Sequence, residues 1–424
     1  MELDVHELTH HLIIVIFQLA LILIVAKIAG EICIRFLKIP AVLGELTIGI
    51  LISPYLLGGV SFGSFGPIFE NAAHESLNPL SVVPQELYFL GQIAAIILLF
   101  HAGLETNLRL FIQYAKPACL VALGGVGIPF LLGDIATVAM GYADNVFDPL
   151  ALFVGSVMTA TSVGITARVL SDLGRLDGPL GATIIGAAVI DDVLGILVLT
   201  IVVGMHGSGS LSLSDVAIIA GKSVGFWIIL TGVLLATSGI IFRVISGFRL
   251  PGSALVLALS MALLGAGLAE LFGLAMIIGA YSVGLALSVT PLEKLIEEHL
   301  SGVYHALVPI FFVVMGMLVD VTAIGGAIEF GVVITILAVI GKVIGCGVPA
   351  RLARFSLKDS YRIGLGMLPR GEVALIVAGV GLANGVIGND QFGVAILMTL
   401  VTTILAPILL MNSFKEQKEI SRNT

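Results

Sequence analysis

The run from Gly181 to Val203, GATIIGAAVIDDVLGILVLTIVV, has the length and apolarity of a membrane-crossing helix, yet it carries Asp191 and Asp192 at its centre. A bilayer core of about 30 Å needs roughly 20 apolar residues in helical form, because a helix satisfies its own backbone groups there. Similar runs recur along the chain, and spans are expected near 11–36, 40–58, 86–104, 117–140, 149–171, 180–205 and 215–243. Further spans are expected near 251–271, 273–290, 303–320, 328–353, 360–384 and 390–412. Hydrophobic residues make up 58% of the 424 residues and charged residues only 11%, which excludes an ordinary soluble globule. The fold class is read as an all-α polytopic membrane protein with about 13 transmembrane helices. A single membrane domain over 1–424, with no soluble regulatory domain, is expected.

An odd number of spans puts the termini on opposite faces, and basic residues, which collect in cytoplasmic loops, decide which face is which. Loop positions from Arg35 and Lys38 through Arg109, Arg175, Arg249, Arg354 and Lys358 to Lys415 share one face, while Glu70, Glu75, Asp144, Asp148 and Asp320 mark the other. The N-terminus is therefore expected outside and the C-terminus in the cytoplasm, with the chain in the cell's inner (plasma) membrane. The first run follows acidic residues and lacks a basic leader and a small-residue cleavage site, so it is read as a retained helix. Cys33, Cys119 and Cys346 are scattered through apolar spans and are read as buried, inert thiols. The net charge of −8 arises in the outer loops, and no basic patch outside the cytoplasmic loops indicates nucleic acid.

Lys27 and Lys222 lie inside spans but near enough to their ends to snorkel; Lys342 and Arg370 do not. Asp191, Asp192, Lys342, Arg370 and Glu372 all fall near the middle of their spans, which implies one polar centre at the midplane. Their formal sum leaves one carboxylate without a basic partner. A lone buried carboxylate favours its proton and a nearby ammonium favours the ionised form, so such a site suits alternate occupation by a proton and a metal ion. Two runs break the helical pattern at similar depth. The first, 158–164, contains Thr159, Ala160, Thr161 and Ser162, whose carbonyls and hydroxyls could face a hard cation once unwound. The second, 366–372, contains Pro369, Arg370 and Gly371. Either alone reads equally well as a kink, but their corresponding places in the two halves point to an inverted-repeat transporter. His101, Glu105, His299 and His305 are read as solvated interfacial groups rather than pH sensors.

The strings PAVLGELTIGI (40–50), GLETN (103–107), TATSVG (159–164), Ile190-Asp191-Asp192, PIFF (309–312) and PRGE (369–372) occur in an order and spacing that resembles the bacterial monovalent cation/proton antiporters. The branch is that of the NapA-, GerN- and Kef-type proteins. The resemblance implies an antiporter fold of the NapA/NhaA kind, with 149–171 and 360–384 as two crossed discontinuous helices. It implies a homodimer in which a dimerisation unit (about 11–58 and 215–290) holds a mobile core (about 86–205 and 303–412). It also implies that Asp192 binds cation and proton alternately, Na+ being cargo rather than a fixed metal, and that Asp191 pairs with Lys342. Thr159, Ala160, Thr161 and Ser162 would form the unwound turn at the ion site, and Glu372 would steady the second broken helix beside Arg370 and Gly371.

On this resemblance the chain is not an enzyme and needs no cofactor; its partners are Na+, Li+ or K+, protons and the lipid bilayer. The combination of Asp191, Asp192 and Lys342 resembles that of electrogenic members, which exchange two protons for one sodium. The expected function is secondary active Na+/H+ antiport by alternating access, with K+/H+ antiport as the runner-up. The chain ends without the nucleotide-binding domain of full Kef systems, which weighs against gated potassium efflux. A passive cation channel is the alternative of another class, disfavoured because a fixed buried lysine repels permeating cations. An intramembrane aspartyl enzyme would need two acids facing each other from separate helices.

Overall fold

A computed structural model describes residues 5–61, 66–69, 83–207, 213–326, 328–383 and 385–420; the side chain of Glu372 lies outside the described residues. The first helices are α1 (Val5–Ile32), α2 (Ala41–Leu51), α3 (Gln85–Glu105), α4 (Leu108–Gln113) and α5 (Ala115–Ala139). They are followed by α6 (Pro149–Thr159), α7 (Val163–Asp172), α8 (Pro179–Gly207), α9 (Leu213–Ser246), α10 (Ser253–Leu271) and α11 (Met276–Leu287). The last are α12 (Leu292–Met317), α13 (Ile328–Leu352), α14 (Leu357–Gly366), α15 (Glu372–Ala383) and α16 (Asn389–Ile420). Among the described residues the one extended pairing is an isolated bridge between Ser61 and Pro67. The all-α expectation therefore holds.

The expected count of about 13 spans is not confirmed. Ten helical stretches among the described residues are long and apolar enough to cross a membrane, whereas Ala41–Leu51, Met276–Leu287 and Val373–Leu382 are apolar but shorter. Each short segment has a local cause. Pro54 follows α2 and disfavours helix at the residue before it. α11 is preceded by Gly273 in the left-handed region (φ 75°) and followed by Pro291. α15 is the second half of an interrupted helix. A further correction concerns α12, expected over 303–320 but beginning at Leu292. The polar stretch ahead of residue 303 is helical because Leu292, Ile296 and Leu300 recur every four residues and are 3%, 0% and 0% exposed.

The chain forms two compact units, one of 1–95 with 303–322 and the other of 96–302 with 323–424. In the first, α2 and α12 meet through glycine: a Cβ on Gly49 would stand 2.2 Å from the Val313 carbonyl oxygen, and one on Gly316 2.3 Å from that of Leu46. In the second, α5 packs along α13, on α6 and on α8, while α13 packs on α14 and α16. Tyr114 before α5 lies 5.5 Å from Phe355 beyond α13, and Tyr142 beyond α5 stacks on Phe330 near the start of α13 at 4.3 Å. These ring contacts make α5 and α13 antiparallel. The sets α5–α8 and α13–α16, each with an interrupted second member, therefore run in opposite directions, as an inverted repeat requires.

Large apolar side chains stay on the outside, including Leu123 (53% exposed), Ile229 (65%) and Val256 (61%). In water such a surface would aggregate; in lipid it faces matching hydrocarbon. Of the cysteines, Cys33 and Cys346 are buried, but Cys119 is exposed on α5, contrary to the reading of three buried thiols. The α5/α13 contact is close because Gly124 and Gly345 face each other with no side chains between. A Cβ on Gly124 would come within 2.1 Å of the Gly345 carbonyl oxygen. Gly124→Ala is expected to destabilise the protein by about 1–3 kcal/mol, read as a lower Tm in detergent. An unchanged Tm would show that the two backbones separate without cost.

Candidate functional site

The first interruption has a defined start and end. Asp148 caps α6 by accepting the Leu150 N–H at 2.9 Å, with Pro149 at the first helical position. The helix stops at Thr159, Ala160 turns away at ψ 141°, and Ser162 (φ −88°, ψ 105°) opens α7. In the second, α14 is capped by Ser356, which accepts the Asp359 N–H at 3.0 Å, and ends at Gly366. Pro369 keeps the following segment open: it lacks an N–H and pushes Leu368 away from helix. The two openings are hydrogen-bonded to each other. Ser162 donates its N–H to the Pro369 carbonyl at 2.8 Å, the Thr161 hydroxyl donates to that of Met367 at 3.3 Å, and the Thr166 hydroxyl to that of Gly366 at 2.7 Å. Gly371 permits this approach, since a Cβ there would lie 2.8 Å from Ser162 Oγ.

Two buried cations answer the carbonyls freed at the end of α6. Lys342 on α13 is 0% exposed, and its ammonium donates to Gly125 O at 2.9 Å, to Thr159 O at 2.7 Å and to Asp191 Oδ1 at 2.9 Å. An ammonium has three N–H donors, and all three are used. None goes to Asp192. Arg370, also 0% exposed, donates to Met158 O at 2.6 Å and to Ala160 O. The last carbonyls of a helix carry partial negative charge, so both cations sit where α6 needs them. The Thr403 hydroxyl donates to the Arg370 carbonyl and ties α16 to the same place.

The structure thus gathers Asp191 (1% exposed), Lys342, Thr159, Ala160, Thr161, Ser162, Arg370 and Gly371 around one crossing, with Asp192 (5%) beside Asp191 on α8. The carbonyls of Thr159 and Ala160 are taken by Lys342 and Arg370, and the Thr161 hydroxyl by Met367. Ser162 Oγ and Asp191 Oδ2 are buried oxygens that have no hydrogen bond. The formal charge sum treats Arg370 as a second counter-charge, but its guanidinium serves main-chain carbonyls. Sequence reading passed over Asp134, which lies within the expected span 117–140, is 5% exposed and keeps Oδ1 buried without a hydrogen bond. The available signal was an ionisable residue inside an apolar run. His101 and Glu105 lie on α3, and His299 and His305 on α12, none of them on an interrupted helix.

Interrupted helices that cross in opposite directions over a buried acid–base pair define a secondary transporter. The chain belongs to the sodium/hydrogen exchanger transmembrane family, whose model matches residues 20–411. It is a multi-pass membrane protein of a transporter family, not an enzyme. It is 36% identical over 401 residues to the Na+/H+-K+ antiporter GerN of Bacillus cereus, covering 94% of this chain and 96% of that one. It is 33% identical over 427 residues to the high-affinity Na+/H+ antiporter NhaS3 of Synechocystis, covering 96% and 91%. The solved sodium proton antiporter MjNhaP1 of Methanocaldococcus jannaschii shares the fold at a TM-score of 0.72 and 20% identity, over 94% of this chain and 95% of that one.

Lys342→Gln leaves Asp191 as a buried carboxylate without its ammonium. The expected loss is about 3–5 kcal/mol, seen as a lower Tm, with partial recovery in the double variant Asp191→Asn/Lys342→Gln. Equal Tm values for the single variant and the wild type would show that the pair carries no stability.

Proposed function

We propose that this protein is a secondary active monovalent cation/proton antiporter that exchanges Na+, and Li+ in its place, for protons by alternating access. One observation carries the reading: two adjacent buried acids share a site whose lysine is committed, through all its donors, to Asp191 and two carbonyls. Asp192 is then the acid that exchanges its charge compensation, holding a proton in one state and a cation in the other. The spare oxygens of Ser162 and Asp191 supply further ligands of the kind a hard monovalent ion takes. The exchange is electrogenic. Glu372 steadies the second crossing, as the resemblance implies. The transported ions are the cargo, and no cofactor takes part.

We further propose a homodimer in the plasma membrane, with the N-terminus outside and the C-terminus in the cytoplasm, as the one-sided basic loops favour. In that arrangement 86–205 and 303–412 form the moving core against a dimerisation unit of 11–58 and 215–290. Potassium is the second candidate ion, favoured by the relative whose name includes K+.

Purified protein in liposomes with an internal pH dye tests the reading. Added Na+ or K+ should dissipate an imposed pH gradient under a potential clamp, and the rate should depend on potential. Cation uptake with no coupled proton movement would establish a channel instead. Asp192→Asn is expected to abolish exchange while leaving the fold intact; normal coupled flux in that variant defeats the assignment. Ser162→Ala should raise the cation KM about fivefold, the loss of one hydrogen-bond-sized ligand. An unchanged KM across Na+, Li+ and K+ removes Ser162 from the site.

A further inference from the structure

Away from the crossing, the end of α3 carries a second cluster with a different donor set. His101 and Glu105 are four residues apart on α3 and therefore share a face. His101 Nδ1 stands 3.7 Å from Glu105 Oε2, and donor atoms of His101, Glu105 and Glu297 on α12 all lie within 4.8 Å of one another. We propose that His101, Glu105 and Glu297 form a binding site for a divalent transition-metal ion of the zinc class, separate from the exchange site.

The donors fit that class. Two carboxylates and a neutral imidazole carry a charge that a dication cancels. Imidazole selects zinc, nickel or cobalt over calcium and magnesium, which prefer oxygen alone. Zinc bonds of about 2.0–2.2 Å place neighbouring ligands about 3.4 Å apart, so side-chain rotation closes the cluster. Glu105 Oε2 is buried and has no hydrogen bond, an acceptor held out of water. Glu105 and Glu297 line a cavity of about 840 Å³ together with Glu293 and Asp177, giving the ion an entry path and room for a water as fourth ligand.

Both backbones are fixed. Near Glu105, α3 lies against α11 where a Cβ on Gly103 would stand 2.4 Å from the Tyr281 carbonyl oxygen, and the Tyr281 hydroxyl donates to Thr106 Oγ1 at 3.2 Å. On α12, burial of Leu292, Ile296 and Leu300 fixes the rotation that leaves Glu293 and Glu297 lining the cavity.

The full chain, purified in detergent and stripped with a chelator, tests the site. ZnCl2 should raise Tm, MgCl2 should not, and CoCl2 should bind one ion per chain with the visible absorption of a low-coordinate nitrogen/oxygen site. His101→Ala and Glu297→Gln should each weaken zinc binding about tenfold or more, with the metal-free Tm unchanged. Should either variant fail to fold, Glu105→Gln takes its place. No Tm shift with zinc, an equal shift with magnesium, or undiminished zinc affinity in the variants overturns the proposal. The last result would place binding at other histidines.

Discussion

The ammonium of Lys342 is the point on which the transport unit depends. It is fully buried and takes acceptors from three other helices: Gly125 on α5, Thr159 on α6 and Asp191 on α8. A charge without partners in this environment would cost several kcal/mol. Within an intact helix the carbonyls are already bonded along the axis; on α5 Pro129 lacks the N–H that would bond Gly125 O, and on α6 the break after Thr159 frees the other carbonyl. The buried lysine and the broken helix therefore each supply what the other lacks, and Arg370 repeats the arrangement at Met158 and Ala160.

Close backbone contact is the second requirement. Lys342 reaches Gly125 because nothing projects from that glycine, where a Cβ would lie 2.5 Å from Cys346 Sγ. The opposed Gly124 and Gly345 let α5 and α13 approach, and Gly371 lets the second break meet Ser162. In lipid, where apolar surfaces gain little by meeting each other, small residues and interhelical hydrogen bonds are what draw helices together. The crossing is built from both. Lys342 bonds Asp191 and gives no donor to its neighbour Asp192, so two chemically identical side chains stand in different surroundings.

Much of this was legible before any coordinates. Apolar runs of bilayer length gave the helical class, and the interruptions around Thr159–Ser162 and Pro369–Gly371 marked both crossings, because glycine, proline and clustered hydroxyls are local signals. Asp191, Asp192 and Lys342 stood out since few ionisable residues tolerate the middle of a span. Other features were hidden. The early start of α12 was masked by its glutamates, which outweighed the four-residue spacing of Leu292, Ile296 and Leu300. Asp134 was missed because it lies in a span with no break to draw attention to it.

The sequence by itself determined that this chain spans a membrane, where its helices are interrupted and which charges must be buried, for each of these follows from local hydropathy and backbone preference. The tertiary structure alone decided which carbonyls the buried cations take. Lys342 and Gly125 are 217 positions apart, and Arg370 and Ala160 are 210 apart, and charge counting had offered Arg370 a carboxylate rather than carbonyls. A buried donor takes whichever acceptor the packing of distant helices presents, and that geometry exists only once α5, α6, α8 and α13 have come together.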